Sequence, residues 1–142
     1  MAELKLMSFD PLRLLALCKF LCNNSRSSDL EAVSRTVISR AYYSAFLHTR
    51  EYLKETRHVQ FFGTAEDHKI VENELMNNVN RHLGSTIRTL RENRTASDYD
   101  LSSPAFPNPF SRFGRRLLNF NQVAQKENIR LSEYITSNLP RP

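Results

Sequence analysis

The chain has 142 residues, of which 40% are hydrophobic, which suits one domain with a single core. It has only 3 Gly, too few for the turns of an all-β fold or a glycine-rich phosphate loop. No apolar run reaches the roughly 18 residues of a membrane span, and the N-terminus does not resemble a signal peptide, so we expect a cytoplasmic protein. Cys18 and Cys22 fit a pair of buried, reduced thiols.

The net charge of +5 lies entirely in residues 81–142, where nine of the ten basic residues are Arg. Arginine binds phosphate groups through two parallel hydrogen bonds, whereas lysine acts as a point charge. This half of the chain therefore favours a polyanionic partner such as RNA. A solvated basic surface without a ligand is the alternative interpretation.

Two helices are predicted in the first part of the chain. Asp10-Pro11 is a favourable start for the first helix, because Asp caps well and Pro fits the first helical position. Ser28 and Glu31 have the spacing of a capping box, which starts a second helix that ends near Lys54. The apolar stripe of this second helix is broad, so we expect it to pack against more than one neighbour.

A third helix is predicted after a connection at residues 56–63. Thr64 is placed to cap this helix. Apolar residues then recur at helical spacing over residues 71–90, and this spacing continues on both sides of Gly84. We therefore predict one long helix that bends at Gly84.

The last third of the chain begins with a predicted loop at residues 95–109, which is rich in Ser, Asp and Pro. Asn108-Pro109 is expected to open a fourth helix, and a short amphipathic helix is expected at about 130–138. The apolar positions of the fourth helix are Phe113, Leu117, Phe120 and Val123. The whole pattern predicts an all-α, antiparallel four- to five-helix bundle, one domain over 1–142 with its core at about 10–125.

Enzyme signatures built on glycine loops or paired histidines are not found in the sequence. The histidines are His48, His58, His68 and His82. None lies at a metal-binding spacing from a second ligand, so we expect no metal, no cofactor and a structural role for each.

Two segments carry side chains that are suited to binding or chemistry. In the second helix, Arg40 and Tyr43 lie on a stripe away from the main core, where they form a solvated edge, a dimer face or the wall of a cleft. At the end of the predicted third helix, Arg94 can neutralise a phosphate, Tyr99 can stack on a base or donate a hydrogen bond, and Asp98 can orient either. Surface ion pairs between the aspartates and nearby arginines are the alternative interpretation.

These two segments together resemble the HEPN family. Members commonly carry RAYYAxF in the second helix, where this chain has Arg40-Ala41-Tyr42-Tyr43-Ser44-Ala45-Phe46. One branch carries LGxxxxxLxxxRxxADYD. The matching residues here are Leu83-Gly84, Leu90, Arg94, Ser97 in the Ala place, and Asp98-Tyr99-Asp100. The resemblance covers about residues 10–125, and the position of His68 after the second connection is also similar.

The resemblance implies a helical bundle that usually dimerises. Many members are metal-independent endoribonucleases and toxins, and their usual partner is a minimal nucleotidyltransferase antitoxin. In these enzymes an Arg steadies the scissile phosphate and a His, four to six residues later, moves protons. Here Tyr99 stands five residues after Arg94, in the place of that His.

The resemblance therefore implies a HEPN-type protein directed at RNA or a nucleotide, a toxin–antitoxin or defence component that forms a homodimer. If it is an enzyme, the resemblance implies a metal-independent endoribonuclease. The candidate catalytic residues are Arg94, Asp98 and Tyr99, and the candidate binding residues are Arg40, Tyr43, Arg91 and Asp100. The alternative is a non-catalytic module for dimerisation or for binding an antitoxin-like nucleotidyltransferase.

Overall fold

The computed structural model describes residues 9–24, 30–100, 105–106, 118–119 and 122–140, and it shows the predicted all-α bundle. Its helices are α1 (Leu12–Asn23), α2 (Leu30–Arg57), α3 (Glu66–Glu74), α4 (Arg81–Tyr99) and α5 (Gln122–Asn138), with a π-helical turn at Leu75–Val79. The short strands β1 (Ala105–Phe106) and β2 (Leu118–Asn119) pair antiparallel, with Ala105 opposite Asn119. None of the helices in the described ranges has the length and apolar character needed to cross a membrane.

Helix α2 is the centre of the bundle, as its broad apolar stripe predicted, and α1, α3, α4 and α5 pack against it. The main core lies where α2 meets α3, α4 and α5. Its buried residues are Tyr42, Ala45, Phe46, Leu53, Val71, Leu75, Leu83, Ile87, Leu90, Ile135 and Leu139. A second apolar cluster between α1, α2 and α5 contains Leu15, Cys18, Cys22, Val37, Ala41 and Ile129.

The start of α1 and the state of the cysteines are confirmed. The Asp10 Oδ1 atom accepts a hydrogen bond from the Leu12 backbone N–H at 3.0 Å, which satisfies one free donor at the helix start. Cys18 and Cys22 are both buried and free. Burial raises the pKa of the Cys18 thiol to about 12, so this group stays protonated at neutral pH.

The predicted Thr64 cap is wrong. Helix α3 begins at Glu66 and its first turn has no side-chain cap. The buried carboxylate of Asp67 instead accepts hydrogen bonds from the backbone N–H groups of Phe62 and Gly63, both at 2.9 Å. This carboxylate therefore orders the connection that follows α2, and Gly63 adopts the positive φ of 74° that this turn needs.

The predicted single helix bent at Gly84 is also wrong. The chain breaks at Asn80, which is extended, and its Oδ1 atom accepts hydrogen bonds from His82 N at 2.9 Å and Leu83 N at 3.1 Å. Asn80 is therefore the N-cap of α4. Gly84 lies inside α4, where an added Cβ would come within 2.7 Å of the Met76 backbone, so its small size allows the π turn to pack closely.

The predicted loop at 95–109 starts too early, because α4 continues to Tyr99. The last helix is longer than the predicted segment at about 130–138, since α5 starts at Gln122. Val123 lies in α5 and is exposed, so it does not belong to a separate fourth helix.

The start of that predicted fourth helix at Asn108-Pro109 lies outside the described residues, as do Phe113, Leu117 and Phe120. Residues 118–119 form β2, so a continuous helix from 108 to 123 is wrong. The capping-box residue Ser28 also lies outside the described residues, although the start of α2 at Leu30 agrees with it.

The contact between α2 and α5 contains a row of buried polar groups. Gln125 Nε2 donates to Ser34 Oγ at 2.8 Å, and Ser132 Oγ donates to the Ala41 carbonyl at 2.8 Å. His48, also on α2, bonds through Nε2 to the Leu139 carbonyl at 2.6 Å, so this histidine has the structural role that was expected. These bonds fix α5 against α2, and we refer to them as the α2–α5 polar interface.

Candidate functional site

A group of aromatic rings marks the place where α2 faces α3. The His68 ring on α3 stacks on Phe46 of α2, with ring centroids 4.2 Å apart. Tyr42 lies nearly parallel to His68 at 5.6 Å, and Tyr43 meets it edge-on at 6.2 Å. Phe46 contacts both tyrosines because it follows Tyr42 by four residues and Tyr43 by three, the spacings at which side chains meet on a helix.

Arg94 reaches this aromatic group from α4. Its Nη2 atom donates to the Tyr43 hydroxyl at 2.6 Å, and its Cζ lies 5.1 Å from the centre of the Tyr43 ring. Its Nε atom is 3.0 Å from Asp98 Oδ2, one helical turn further on, in an ion pair that lacks the direction of a hydrogen bond. The Arg94 side chain is only 17% exposed, so it lies in a partly closed recess.

Arg40, the other candidate residue on α2, reaches the same site through Ser39. Ser39 Oγ donates to Asp98 Oδ2 at 3.2 Å, and Arg40 Nη2 donates to Ser39 Oγ at 3.2 Å. The Arg40 Cζ also lies 4.9 Å from the centre of the Tyr43 ring. The structure therefore brings the candidates Arg40, Tyr43, Arg94 and Asp98 together, although they come from different helices.

Arg91 borders the site through Glu72. Arg91 Nε lies 2.8 Å from Glu72 Oε2, and Arg88 Nε lies 3.6 Å from Glu72 Oε1. Glu72 is buried and lies one turn after His68 on α3. Arg91 is thereby held beside the histidine. We call Arg91, Arg94, Asp98, Tyr43, Glu72 and His68 the Arg94 cluster.

Tyr99 and Asp100 lie at the edge of this cluster. Tyr99 is the last residue of α4 and is 70% exposed, with its ring centre 5.6 Å from the Arg94 Cζ. Asp100 follows the helix, and its backbone N–H donates to the Ala96 carbonyl. Tyr99 is thus placed to offer a flat face beside Arg94.

His68 is the site residue that the sequence interpretation missed. Its Nδ1 atom is hydrogen-bonded to the hydroxyl of Tyr42, a residue 26 positions away. Burial lowers the pKa of His68, and the positive charges of Arg94 and Arg91 lower it further, while Asp67 acts in the opposite direction. His68 is therefore neutral at pH 7. The one sequence signal for His68 was that its position after the second connection resembles that of a histidine in the HEPN family.

The buried polar atoms of the cluster are only partly hydrogen-bonded. Within the described residues, six buried side-chain atoms lack a well-directed hydrogen bond. Three belong to the cluster, namely the Nε atoms of Arg91 and Arg94 and Glu72 Oε2, and three lie outside it, namely Thr49 Oγ1, Arg50 Nε and Asn93 Oδ1. Buried polar groups in proteins are normally satisfied, so each exception needs an explanation, and a role in a functional site is one such explanation. Several arginines beside aromatic faces and a neutral histidine form an arrangement that can bind an anion such as a phosphate group.

A second open feature lies on another part of the molecule. A groove of about 280 Å³ runs between α1 and α5 and is lined partly by Lys19, Lys126 and Arg130. Lys19 pairs with Glu133, and Arg130 pairs with Glu127, both at 2.7 Å. We call it the α1–α5 groove. Two of its three cations are thus paired with exposed carboxylates, and the described residues that line it lack the aromatic faces of the Arg94 cluster.

Comparison with known proteins identifies one relative in an archaeon. The chain is 32% identical over 113 residues to the uncharacterized protein MJ0628 of Methanocaldococcus jannaschii, and the match covers 68% of this chain and 67% of that protein. The chain belongs to the family of this archaeal protein. No family model matches the chain, and no solved structure matches it significantly.

Proposed function

We propose that this protein is a HEPN-type component of a toxin–antitoxin or defence system that is directed at RNA or a nucleotide, and that the Arg94 cluster holds a phosphate group of this ligand. The observation that carries the proposal is the bond from Arg94 to Tyr43. It joins the two sequence segments that carry the HEPN resemblance, which are 51 residues apart at this point, in one partly closed site.

The geometry of Arg94 supports binding of a phosphate. Nη2 is occupied by Tyr43 and Nε is near Asp98, but Nη1 makes no hydrogen bond to the described residues and is not among the buried unpaired atoms. The guanidinium is thus oriented by two partners while one edge stays available. A phosphate oxygen at that edge would form a charged hydrogen bond, which is among the stronger polar contacts in proteins.

The binding experiment compares Arg94→Ala with Arg130→Ala, using a labelled single-stranded RNA of mixed sequence. We expect Arg94→Ala to weaken binding by about 1–3 kcal/mol, the size of a lost charged hydrogen bond. The slope of log affinity against log salt concentration should become less steep by about one, as expected when one phosphate contact is lost. Arg130 pairs with Glu127 outside the cluster, so Arg130→Ala removes the same charge and should have little effect. Equal losses in both variants would overturn the proposal.

The same preparations separate a binding role from a structural one. Arg94→Lys keeps the charge but loses the planar fork, so it should restore only part of the affinity. Melting should show that Arg94→Ala lowers stability by no more than about 1 kcal/mol, because Asp98 and Tyr43 remain partly solvated. A loss well above about 2 kcal/mol, with RNA binding intact, would mean that Arg94 is a structural residue.

Endoribonuclease activity is the catalytic form of the proposal, and it requires no metal. Cleavage of the same RNA should persist in excess chelator and should be lost in Arg94→Ala. If RNA binds without cleavage, the protein is a binding component rather than a nuclease.

An interaction module is the second candidate function, in which the protein forms a homodimer or binds a minimal nucleotidyltransferase antitoxin. Leu17 and Phe20 on α1, 43% and 63% exposed, favour it because large apolar side chains on one helix commonly contact a partner. Sedimentation equilibrium at micromolar concentration should give a mass above the 16.5 kDa of one chain. A strict monomer would exclude the homodimer.

A further inference from the structure

We propose that His68 is a neutral hydrogen-bond donor to a non-bridging phosphate oxygen of the ligand, and that Tyr42 is the positioning residue that fixes its proton on Nε2. This inference rests on the proposed phosphate site of the Arg94 cluster, and it assigns to that site a donor without charge. It also determines what His68 does not do, which is to remove a proton from the ligand.

The direction of the hydrogen bond between Tyr42 and His68 follows from the burial of the hydroxyl. Tyr42 is 1% exposed, so a hydroxyl proton without an acceptor would be costly. Among the described residues the only partner of this hydroxyl is His68 Nδ1. The hydroxyl therefore donates to Nδ1, and burial keeps it protonated because it raises the pKa of Tyr42 well above its usual range.

A neutral imidazole carries one proton, so a ring that accepts at Nδ1 must carry that proton on Nε2. The Nε2 atom has no hydrogen-bond partner among the described residues, and it is also not among the buried atoms that lack one. His68 is partly exposed, so its Nε2–H reaches solvent. The donor is thus available to a ligand.

The charges around His68 keep it neutral and place arginines beside it. Burial lowers its pKa most, and Arg94 and Arg91 on α4 lower it further. Asp67 on α3 raises it, and Arg50 on α2 lowers it by the smallest amount. Arg94 is joined to His68 through Tyr43, which contacts both. A phosphate held by Arg94 would therefore lie close to the His68 ring and could accept its Nε2–H.

A histidine with this tautomer cannot act as the base for a ribose hydroxyl, because neither ring nitrogen has a free lone pair. Its contribution is to bind the phosphate and to stabilise negative charge on its oxygens. Neutral histidines that act as donors rather than bases are known in enzymes whose imidazole pKa is lowered. Cleavage of RNA at this site would need another base.

The first test needs no RNA, so it is independent of the proposed function. Nitrogen-15 NMR of the histidine side chains, with His68→Phe to assign the signals, should show His68 protonated at Nε2 and unprotonated at Nδ1. Removing a hydrogen bond to the neutral ring favours the charged form, so Tyr42→Phe should raise the pKa of His68. A proton on Nδ1, or a pKa that falls in Tyr42→Phe, would overturn the assignment.

The second test compares two substitutions at His68 in the RNA-binding measurement. His68→Phe keeps a ring to stack on Phe46 but has no donor, and it should weaken binding by about tenfold or more, as expected for a lost hydrogen bond to a charged acceptor. His68→Gln keeps an N–H donor but cannot act as a base, so it should retain most of the affinity. Unchanged binding in His68→Phe would overturn the donor role, even if Arg94→Ala had confirmed the site.

Discussion

The two polar regions beside α2 differ in the kind of group they bury and in how completely that group is hydrogen-bonded. At the α2–α5 polar interface, uncharged side chains form directed bonds, such as Gln125 to Ser34 at 2.8 Å. In the Arg94 cluster, charged side chains lie in contact, yet the Nε atoms of Arg91 and Arg94 lack a well-directed hydrogen bond. The polar residues of the α2–α5 polar interface therefore hold two helices together, whereas the charged residues of the Arg94 cluster remain able to bind a ligand.

This difference separates effects on stability from effects on ligand binding. A well-directed buried hydrogen bond stabilises the folded state, and breaking it leaves an unpaired polar group in the interior, which lowers the stability further. A partly exposed ion pair contributes little to folding, because solvent screens it and the side chains lose entropy. We therefore expect substitutions in the two regions to have opposite consequences for stability and for RNA affinity.

The largest expected effect is on stability, at the α2–α5 polar interface. Gln125→Ala should lower the free energy of unfolding by about 2–4 kcal/mol, because it leaves a cavity and removes the partner of the buried Ser34 hydroxyl. Urea denaturation measures this loss, and RNA binding by the folded protein should be unchanged. A loss below about 0.5 kcal/mol would show that this interface is not structural.

A smaller effect, on affinity, is expected at Glu72. This buried carboxylate competes with a phosphate for Arg91 and Arg88, so Glu72→Gln should tighten RNA binding by about 0.5–1 kcal/mol. Glu127→Gln is the matched control, because it removes the same charge from the exposed partner of Arg130. If the two variants tighten binding equally, the gain comes from net charge and not from the Arg94 cluster.

The pH dependence of stability tests the environment of His68. The folded-state pKa of this residue lies below its ordinary value of 6.5, so near and below pH 6.5 the unfolded chain binds more protons than the folded one. Stability should therefore fall as the pH falls through 6.5, and the His68→Phe variant should lose that part of the dependence. Identical pH profiles of unfolding for the two proteins would contradict the lowered pKa.

The smallest effect is expected for the substitution Tyr99→Phe. Its ring is 70% exposed and lies near Arg94, so it contributes a flat face rather than a positioned hydroxyl. Tyr99→Phe should bind RNA like the unmodified protein, and Tyr99→Ala should lose about 0.5–1 kcal/mol, the size of an exposed cation–π or stacking contact. Impaired cleavage or binding in Tyr99→Phe would show that the hydroxyl takes part.

Helices in the first half of the chain could be predicted because their signals are local. Asp10 caps α1 as expected, and α2 has the breadth of apolar surface that a central helix needs. The break at Asn80 was missed because the apolar stripe continues across it. Asparagine is a favoured N-cap, so Asn80 was the available signal for the break. Gly84 instead allows the Met76 backbone to pack closely against α4, and the period of the apolar stripe does not show such a contact.

The candidate site was predicted only where sequence motifs marked it. The Arg94 and Tyr43 segments could be singled out, and the structure joins them. His68 and Glu72 were not selected, because their partners lie on other helices and no local spacing records such contacts. Tyr99 followed from its place in the motif, but its exposure depends on where α4 ends, which helix propensity does not fix.

The central claim, that the Arg94 cluster is the phosphate site, is tested most directly by NMR of the arginine side chains. A titration with a short single-stranded RNA should shift the Nε–H signals of Arg91 and Arg94 and the ring signals of Tyr43 and His68. The Arg130 signal in the α1–α5 groove should stay unchanged. Shifts confined to Arg130 and its neighbours in that groove, with Arg94 and His68 unaffected at saturating RNA, would contradict the account.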